Sequence, residues 1–255
     1  MKRKKRIGTA AKAVGCAVLL MISLFPIYWL LAMAIRPTDE MRGHIALIPQ
    51  SLTGMHFAQL FTSENFGQAF MNSLQTTFGS LIISLLAGIC AAYVIARRRF
   101  RFGLKKPMTY WVLLVRVLPP VAFTIPLYIM FNRLGVLNTK LPVMLACVLI
   151  NVPLIIWFLI SFFQDLPEEI EESAKVDGAT EWQLFCKIVL PLVAPGIAAV
   201  SMLSFMYAWN EYTYTVIFTR IPANNTVPLA LALLNTEDNL TNFGLVAAGG
   251  VISVI

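Results

Sequence analysis

The residues of this 255-residue chain that could do chemistry are few, and most of them are scattered. The four cysteines form no C-x-x-C pair, so their spacing indicates neither a disulfide framework nor a metal site. His44 and His56 stand twelve residues apart and are predicted to be surface residues rather than metal ligands. The sequence has no G-x-x-x-x-G-K-[ST] phosphate-binding loop. We therefore predict no catalytic site, no metal and no cofactor.

One acidic segment stands apart from this pattern. Residues 165–192 read DLPEEIEESAKVDGATEWQLFCKIVLPL. Pro167 suits the first turn of a helix, and the glutamates after it place negative charge near the positive end of that helix. Gly178 can take the left-handed conformation that ends a helix. Thr180 and Gln183 have the spacing of a capping box, which predicts a second helix.

The prolines near the end of this acidic segment predict an interruption. Pro191 and Pro195 are expected to bend or break the chain before its next membrane crossing. The segment would then be a short helix, a sharp turn and a second helix. Three roles fit such a unit: a connector, a helix-turn-helix that enters DNA, or an element that docks into a soluble partner. Residues 165–189 carry seven acids and two lysines, and this net charge of −5 argues against a nucleic acid partner.

The amino-acid composition indicates what kind of protein must position this segment. Apolar residues make up 58% of the chain and charged residues 13%, about half the charged fraction of soluble domains. The mean hydropathy is +0.74. So few charges cannot cover the core of a water-soluble fold of this size. The composition therefore indicates a polytopic protein embedded in the lipid bilayer.

Apolar runs of about 20 residues are long enough to cross a bilayer as helices. The chain has six such runs, at residues 13–35, 65–96, 107–132 (interrupted by Arg116), 141–164, 188–210 and 239–255. The first run is longer than the core of a secretory signal and contains Pro26, so we expect an uncleaved helix. The sixth run is still apolar at Ile255, and we expect the natural chain to continue beyond it.

The basic residues predict the orientation of these helices. One set of loops, formed by the N-terminus, residues 97–106 and residues 164–187, holds 14 of the 20 lysines and arginines. The other set holds five, and Arg116 is the remaining one. Because positive charge stays in the cytoplasm, the N-terminus and the acidic segment are predicted to be cytoplasmic. The basic clusters indicate topology and contacts with anionic lipids rather than nucleic acid binding.

A spaced pattern within the acidic segment carries a resemblance to a known family. The pattern consists of Glu172, Ser173, Ala174, Asp177, Gly178, Ala179, Ile188, Leu190 and Pro191. It resembles the EAA motif of permease subunits of ATP-binding-cassette importers, including the nine residues between the glycine and the isoleucine. Ser173 stands where the family usually has alanine, but it is equally small.

Three further stretches narrow the resemblance. They read RVLPP from Arg116, IPLY with LGVLNT after it, and WNEY from Trp209. They are similar to carbohydrate-uptake permeases, and most of all to the maltose-type subunit that pairs with a different permease. This resemblance implies an all-α fold of six transmembrane helices, the type I importer permease fold, in a bacterial inner membrane. Residues 1–68 would hold the first helix and an outer loop, and residues 69–255 the transport domain with its coupling loop at 165–192.

The resemblance also implies partners and a mechanism. A second permease would complete the pathway, two cytoplasmic ATPases would drive it, and an extracytoplasmic binding protein would deliver a carbohydrate. The acidic segment would be the coupling helix. Glu172 and Asp177 would supply polar contacts to the ATPase, while Ala174 and Ala179 would permit close approach. The sequence does not identify the sugar.

Four residues within the apolar runs are candidates for lining the pathway: Arg116, Trp209, Asn210 and Glu211. Arg116 lies about 14 Å into the third run at the rise of an α-helix, where a charge usually faces protein or water. A structural ion pair or a snorkelling side chain would fit Arg116 as well. The prolines that follow it should kink the third helix and leave carbonyl groups for water. Aromatic residues around Trp209 could stack on sugars, although an interfacial belt has the same composition.

Two other functions remain open. A permease of the same architecture could import a polyamine, phosphate or an amino acid. An ion-coupled secondary transporter would show inverted repeats and acidic residues within its helices. The sequence shows no repeat, and Glu211 is the only acid near a membrane run.

Overall fold

A computed structural model describes the backbone of residues 2–41, 45–97, 105–234 and 242–254. It describes their side chains as well, except at residues 2–11, 105, 106, 113, 116 and 242. All regular elements in these ranges are helical, as the composition predicts. The chain divides into two units, one of residues 1–67 with 229–255 and the other of residues 68–228.

The first unit contains helices from both ends of the chain. They are α1 (Lys2–Ala34), α2 (Met55–Thr62), most of α11 (Val227–Leu234) and α12 (Asn242–Val254). Small residues allow α1 and α12 to approach closely, since Ala34 is fully buried against Ala247 and Ala248. On α12, Gly244 abuts the ring of His56, where any side chain atom would collide with the ring.

A polar network holds the loop between α1 and α2. The guanidinium of Arg36 donates to the carbonyl of Ala46 at 2.6 Å, and the Nε2 atom of His56 lies 2.9 Å from the carbonyl oxygen of Arg36. Both side chains are buried, so the prediction that His56 lies at the surface is wrong. His44 lies outside the described residues. The carboxylate of Glu40 accepts hydrogen bonds from the hydroxyl and the backbone of Ser51, which lower the pKa of Glu40.

The second unit contains the helices of the middle of the chain. They are α3 (Phe66–Arg97, except its first two residues), α4 (Lys105–Val117), α5 (Thr124–Arg133), α6 (Leu141–Gln164), α7 (Glu168–Val176), α8 (Glu181–Gln183), α9 (Leu190–Trp209) and α10 (Thr213–Phe218). A π-helical stretch, Leu184–Val189, joins α8 to α9 without interruption.

The core of this unit forms where α3, α6 and the α8–α9 helix meet. Gly88 on α3 leaves room for the side chain of Ile155 on α6, and a Cβ atom at Gly88 would lie only 2.6 Å from it. Gly196 on α9 is similarly covered by Phe162. Buried aliphatic residues such as Leu159 fill the remaining space. These close approaches fix the relative positions of the three helices.

Four helices are long and apolar enough to cross a membrane. They are Lys12–Ala34, Phe66–Arg97, Leu141–Gln164 and Glu181–Trp209. They correspond to the first, second, fourth and fifth apolar runs, and these four predictions are confirmed. The sixth run gives the shorter apolar helix Phe243–Val254. The structure therefore shows four of the six predicted spans as single long helices.

The third run was expected to be one kinked helix, and this expectation is wrong. Instead α4 ends at Val117, a short 3₁₀ turn follows at Pro120–Phe123, and α5 begins at Thr124. Pro119 has an extended backbone, with ψ of 137°. Two consecutive prolines remove two backbone donors, and the residue before each proline is pushed out of the helical region. Together they break the helix rather than bend it.

Pro191 and Pro195, which were expected to bend or break the chain, do not break it. Both lie within a continuous helix that runs from Glu181 to Trp209. The disturbance appears as the π-helical stretch Leu184–Val189, immediately before Pro191. A π-helical turn changes the hydrogen-bond register, and such turns commonly accommodate local distortions within a helix. The second helix of the acidic segment and the fifth span are thus one element.

Candidate functional site

The acidic segment forms a helical hairpin, which we call the hairpin and define as residues 165–192. Its first helix, α7, begins after the extended residue Pro167. Three glutamates lie in the first turn of α7 and Lys175 lies in the last. This arrangement opposes the helix dipole with charge at both ends, which stabilises a helix too short to persist alone.

The turn after α7 is closed by two backbone hydrogen bonds. The N–H of Gly178 donates to the carbonyl of Lys175 at 3.1 Å, and the N–H of Ala179 donates to the carbonyl of Ala174 at 3.0 Å. Gly178 has a φ of +86°, so the left-handed conformation predicted for it is confirmed. These features define a Schellman motif, which satisfies the last carbonyl groups of α7 and fixes the direction of the exit.

A capping box starts the second helix of the hairpin. The N–H of Gln183 donates to the hydroxyl of Thr180 at 3.3 Å, while the N–H of Thr180 donates to the side chain of Gln183 at 3.0 Å. The capping box predicted from the sequence is therefore confirmed. Because both helix ends at the turn are capped, the two helices meet at a defined angle.

Ala174 faces the protein rather than the surface. It is 7% exposed and packs in the cluster that contains Leu184 and Val189. Ala179 is half-buried against the same cluster. We expected these alanines to permit close approach by a partner, and the structure corrects this. A small residue is needed because α7 lies directly on the π-helical stretch of its own chain.

The exposed side of the hairpin carries the remaining members of the pattern. Glu172, Ser173 and Asp177 are exposed on and after α7, and Pro191 is exposed on α9. Ile188 and Leu190 are half-buried and pack against the core. Two large apolar side chains extend the exposed surface, since Val176 is 88% exposed and Trp182 is 71% exposed. The surface is thus acidic with an apolar centre.

Arg97 is a contact of the hairpin that sequence reasoning missed. Its Nε atom lies 2.9 Å from the carboxylate of Glu171, and its guanidinium donates to the carbonyl of Leu166 at 2.8 Å. The Arg97 side chain is only 7% exposed. In the sequence, Arg97 begins a basic cluster that indicates topology, and nothing in the spacing connects it to a glutamate 74 residues later. Only the packing of α3 against the hairpin reveals the ion pair.

The candidates at the end of α9 do not behave alike. Trp209 is half-buried and belongs to an aromatic row, with its ring 5.7 Å from Phe205 and 5.6 Å from Phe70. Asn210 is exposed and donates to the carbonyl of Met206.

The structure corrects the expectation that Glu211 lines the pathway. It is 8% exposed, and its carboxylate accepts hydrogen bonds from the N–H groups of Tyr214 and Thr215 at 2.7 and 3.1 Å. It also accepts a bond from the hydroxyl of Thr215. These donors lie in the first turn of α10, so Glu211 caps that helix. The geometry gives it a structural role in place of the expected pathway-lining one.

The break between α4 and α5 lies beside a cavity. The cavity measures about 320 Å³ and is lined by Val115, Leu118, Pro120, Phe123, Ile150, Pro153, Leu154, Leu203 and Tyr207. Arg116 lies in the last turn of α4, but its side chain is outside the described residues. Close to the break, the hydroxyl of the buried Tyr214 donates to the carbonyl of Pro120 at 2.8 Å.

The described residues show no cluster of three or more histidine, cysteine or acidic side chains that could hold a metal ion. Of the four cysteines, Cys147 is buried and Cys186 is half-buried, and both are free thiols.

Known proteins resemble this chain in sequence and in fold. Residues 84–255 match the family described as the binding-protein-dependent transport system inner membrane component. The chain belongs to this family. It is therefore a permease subunit and a multi-pass membrane protein, and the resemblance drawn from the hairpin is confirmed.

Curated relatives of this permease are similar along most of their length. The trehalose transport system permease protein SugB of Mycobacterium tuberculosis is 30% identical over 234 residues, which cover 91% of this chain and 84% of SugB. The diacetylchitobiose uptake system permease protein DasC of Streptomyces coelicolor is 32% identical, over 86% of this chain and 80% of DasC. The inner membrane ABC transporter permease protein YcjP of Escherichia coli is 29% identical, over 99% of this chain and 90% of YcjP.

A solved structure has the same fold as this permease. The crystal structure of a bacterial ABC transporter involved in the import of the acidic polysaccharide alginate matches with a TM-score of 0.81 and 20% sequence identity. The match covers 99% of this chain and 93% of that one. The predicted all-α fold of an ABC importer permease is therefore confirmed.

The bond between Tyr214 and the broken helix gives a test of the permease architecture. Tyr214→Phe should lower the free energy of unfolding by about 1 kcal/mol, because a part-buried hydrogen bond to the carbonyl of Pro120 is lost. Thermal unfolding of the purified permease in detergent would measure the change. Tyr212→Phe is the matched control, since Tyr212 is 43% exposed and its change should stay within about 0.5 kcal/mol. Equal effects of the two substitutions would contradict the account.

Proposed function

We propose that this permease imports a sugar or oligosaccharide as part of a binding-protein-dependent ABC importer. A second, different permease completes the membrane pathway. Two cytoplasmic ATPase subunits hydrolyse ATP, since the chain has no phosphate-binding loop of its own. An extracytoplasmic solute-binding protein delivers the substrate. The hairpin is the element on which the ATPases act.

The observation that carries this proposal is the rigidity of the exposed hairpin. A link transmits force only if it does not deform, and both helix ends at the hairpin turn are capped. Its exposed residues Glu172 and Asp177 are available for polar contacts with an ATPase groove, while Val176 and Trp182 supply apolar area. Apolar side chains exposed to this degree at a polar surface indicate a protein interface.

The continuous helix behind the hairpin supports a mechanism of transport. Movement of the ATPases would displace α7, which is packed on the π-helical stretch through Ala174. That stretch continues without a break into α9, the fifth span. Rigid-body displacement of the hairpin would therefore tilt a membrane helix directly. We infer that this movement switches the pathway between inward-open and outward-open states.

The proposal of a sugar as the substrate rests on the relatives. Their names specify trehalose, diacetylchitobiose and sulfoquinovosyl glycerol, all of them carbohydrates or glycosides. The half-buried aromatic row around Trp209 could stack on sugar rings, and Asn210 offers an exposed amide beside it. Arg116 remains a candidate for lining the pathway because its helix ends beside the cavity.

The orientation is part of the proposal. With the N-terminus and the hairpin in the cytoplasm, the loop between α1 and α2 faces outwards, as the distribution of basic residues favours. Residues 1–68 would then form a first helix with an outer loop, and residues 69–255 the transport domain. The membrane would be the bacterial inner membrane.

Substitution of Gly178 tests the role of the hairpin. Gly178→Val should strain the backbone by about 1–2 kcal/mol, since a β-branched residue disfavours a positive φ. A Cβ atom there meets nothing within 4 Å, so the effect would come from the turn itself. We expect normal membrane insertion but weaker co-purification of the ATPases with the tagged permease, together with loss of uptake.

Gly135→Val is the matched control for this substitution. Gly135 also has a positive φ, +67°, and also has nothing within 4 Å of its Cβ position. It lies between α5 and α6, away from the hairpin in sequence. If both variants retained the ATPases at the wild-type level, the hairpin would be a connector and the proposal would fail.

Thiol labelling in intact cells tests the orientation. In a variant that lacks the four native cysteines, a membrane-impermeant maleimide should react with Gly54→Cys but not with Glu168→Cys. Both positions are exposed in the structure. Detergent should make Glu168→Cys reactive as well, which controls for its intrinsic reactivity. Labelling of Glu168→Cys alone in intact cells would reverse the topology.

Uptake measurements test the substrate class. Deletion of the gene should abolish uptake of at least one radiolabelled sugar from a panel of trehalose, diacetylchitobiose and maltotriose, and re-expression of the chain should restore it. Uptake of spermidine, phosphate and glutamate should be unchanged. Selective loss of one of these three instead would show a permease of the same architecture for a different solute.

A further inference from the structure

The cytoplasmic end of α3 holds the hairpin at two points. The side chain of Arg97, the last residue of α3, reaches the carbonyl of Leu166 at 2.8 Å and the carboxylate of Glu171 at 2.9 Å. Leu166 lies in the connection between α6 and α7, and Glu171 lies in the first turn of α7. One side chain therefore fixes both where α7 begins and how its first turn is oriented. We call these two contacts the clamp.

An aromatic contact supports the clamp from the same face of α3. Tyr93 precedes Arg97 by four residues, so the two side chains project from one side of the helix. The ring of Tyr93 lies 5.5 Å from that of Phe163 on α6 and 4.8 Å from that of Phe185 in the π-helical stretch. The end of α3 thus packs against α6, which leads into the hairpin, and against the π-helical stretch, which leads out of it.

The chemistry of the clamp suits a stiff joint. The guanidinium of Arg97 donates a hydrogen bond to the carbonyl of Leu166 and forms a close ion pair, without an aligned hydrogen bond, with Glu171. Its planar fork holds charge and donors in a more fixed geometry than the freely rotating ammonium of a lysine. The side chains of Arg97 and Glu171 are only 7% and 15% exposed, so water and salt screen the pair weakly. Loss of either partner would leave a charge with little solvent to compensate it.

A second ion pair of the hairpin is much more exposed to solvent. Lys175 and Glu181 lie 3.0 Å apart, but their side chains are 48% and 57% exposed. This pair joins α7 to α8 and stays within the hairpin. The ion pair in the clamp, by contrast, ties the hairpin to α3.

We propose that Arg97 is a positioning residue for energy coupling: the clamp makes the end of α3 part of the rigid body that the ATPases move. Arg97 sets the angle at which α7 presents its exposed face, and it passes the displacement of α7 to α3 as well as to α9. Two membrane helices then move together. This proposal rests on the proposed function of the hairpin.

Co-purification of the ATPases with the tagged permease, and ATP hydrolysis by the isolated complex, test the clamp without knowledge of the solute. Arg97→Ala removes both contacts and should reduce the co-purified ATPase about tenfold, within the range of coupling between sites. Glu171→Gln leaves the bond to Leu166 and should have a smaller effect. The combined exchange Arg97→Glu with Glu171→Arg restores the ion pair but not the bond to Leu166, and should recover part of the loss. The Michaelis constant for ATP should not change, because the clamp does not touch nucleotide.

Lys140→Ala is the matched control for the clamp. Lys140 donates to Gln75 of α3 at 2.6 Å, so its loss also removes a polar contact between α3 and the start of α6. It should leave the ATPase level within about twofold of wild type, as expected for an exposed contact. All variants should be compared at equal amounts of membrane-inserted permease.

Two results separate the clamp from the function on which it rests. Wild-type permease that captures no ATPase would overturn both proposals. A wild-type complex that is unaffected by Arg97→Ala, or in which the charge exchange recovers nothing while each single variant is inserted, would overturn the clamp alone. If Arg97→Ala were not inserted, Glu171→Gln and the exchange would still decide, because both keep a polar or charged group at each position they change.

Discussion

The backbone hydrogen bonds of a chain in lipid must be satisfied within the protein, and much of this structure follows from that constraint. Prolines make this constraint harder to meet, because each lacks the backbone N–H that would donate a hydrogen bond within the helix. At the break around Pro119 and Pro120 the third run divides into two helices, and the hydroxyl of Tyr214 donates to the carbonyl of Pro120. Before Pro191 the helix changes to π-helical register and continues. Proline therefore accompanies a break between α4 and α5 but a continuous helix from α8 to α9.

In the proposed mechanism, that continuous helix is how a short hairpin acts on the membrane region. The hairpin has a Schellman motif and a capping box at its turn, so its two helices keep their angle. Its second helix is the start of the fifth span, and Arg97 joins its first helix to α3. Few flexible connections separate the exposed face of the hairpin from α3 and α9, so a displacement of that face would reach both helices. In the proposed function, stiffness is what this permease contributes to energy coupling.

The features that sequence reasoning found are those decided within a few residues along the chain. The left-handed turn at Gly178 and the capping box at Thr180 depend on residue type at short spacing, and both are present as predicted. Length and hydropathy were sufficient for four long membrane helices. The short helices α2 and α10 escaped prediction because six to eight residues carry too little periodicity to distinguish a helix from a loop.

Contacts between distant parts of the chain were decided by the tertiary structure alone. Sequence assigned Ala174 to a partner, but packing of α7 on its own chain buries it. It placed Glu211 on a pathway, whereas the carboxylate caps α10, and it left Arg97 among topology signals although the side chain clamps the hairpin. The sequence by itself determined membrane class, hairpin and family, because those depend on composition and local spacing. The partner of each buried polar group depends on which helices meet, and only the folded chain settles that.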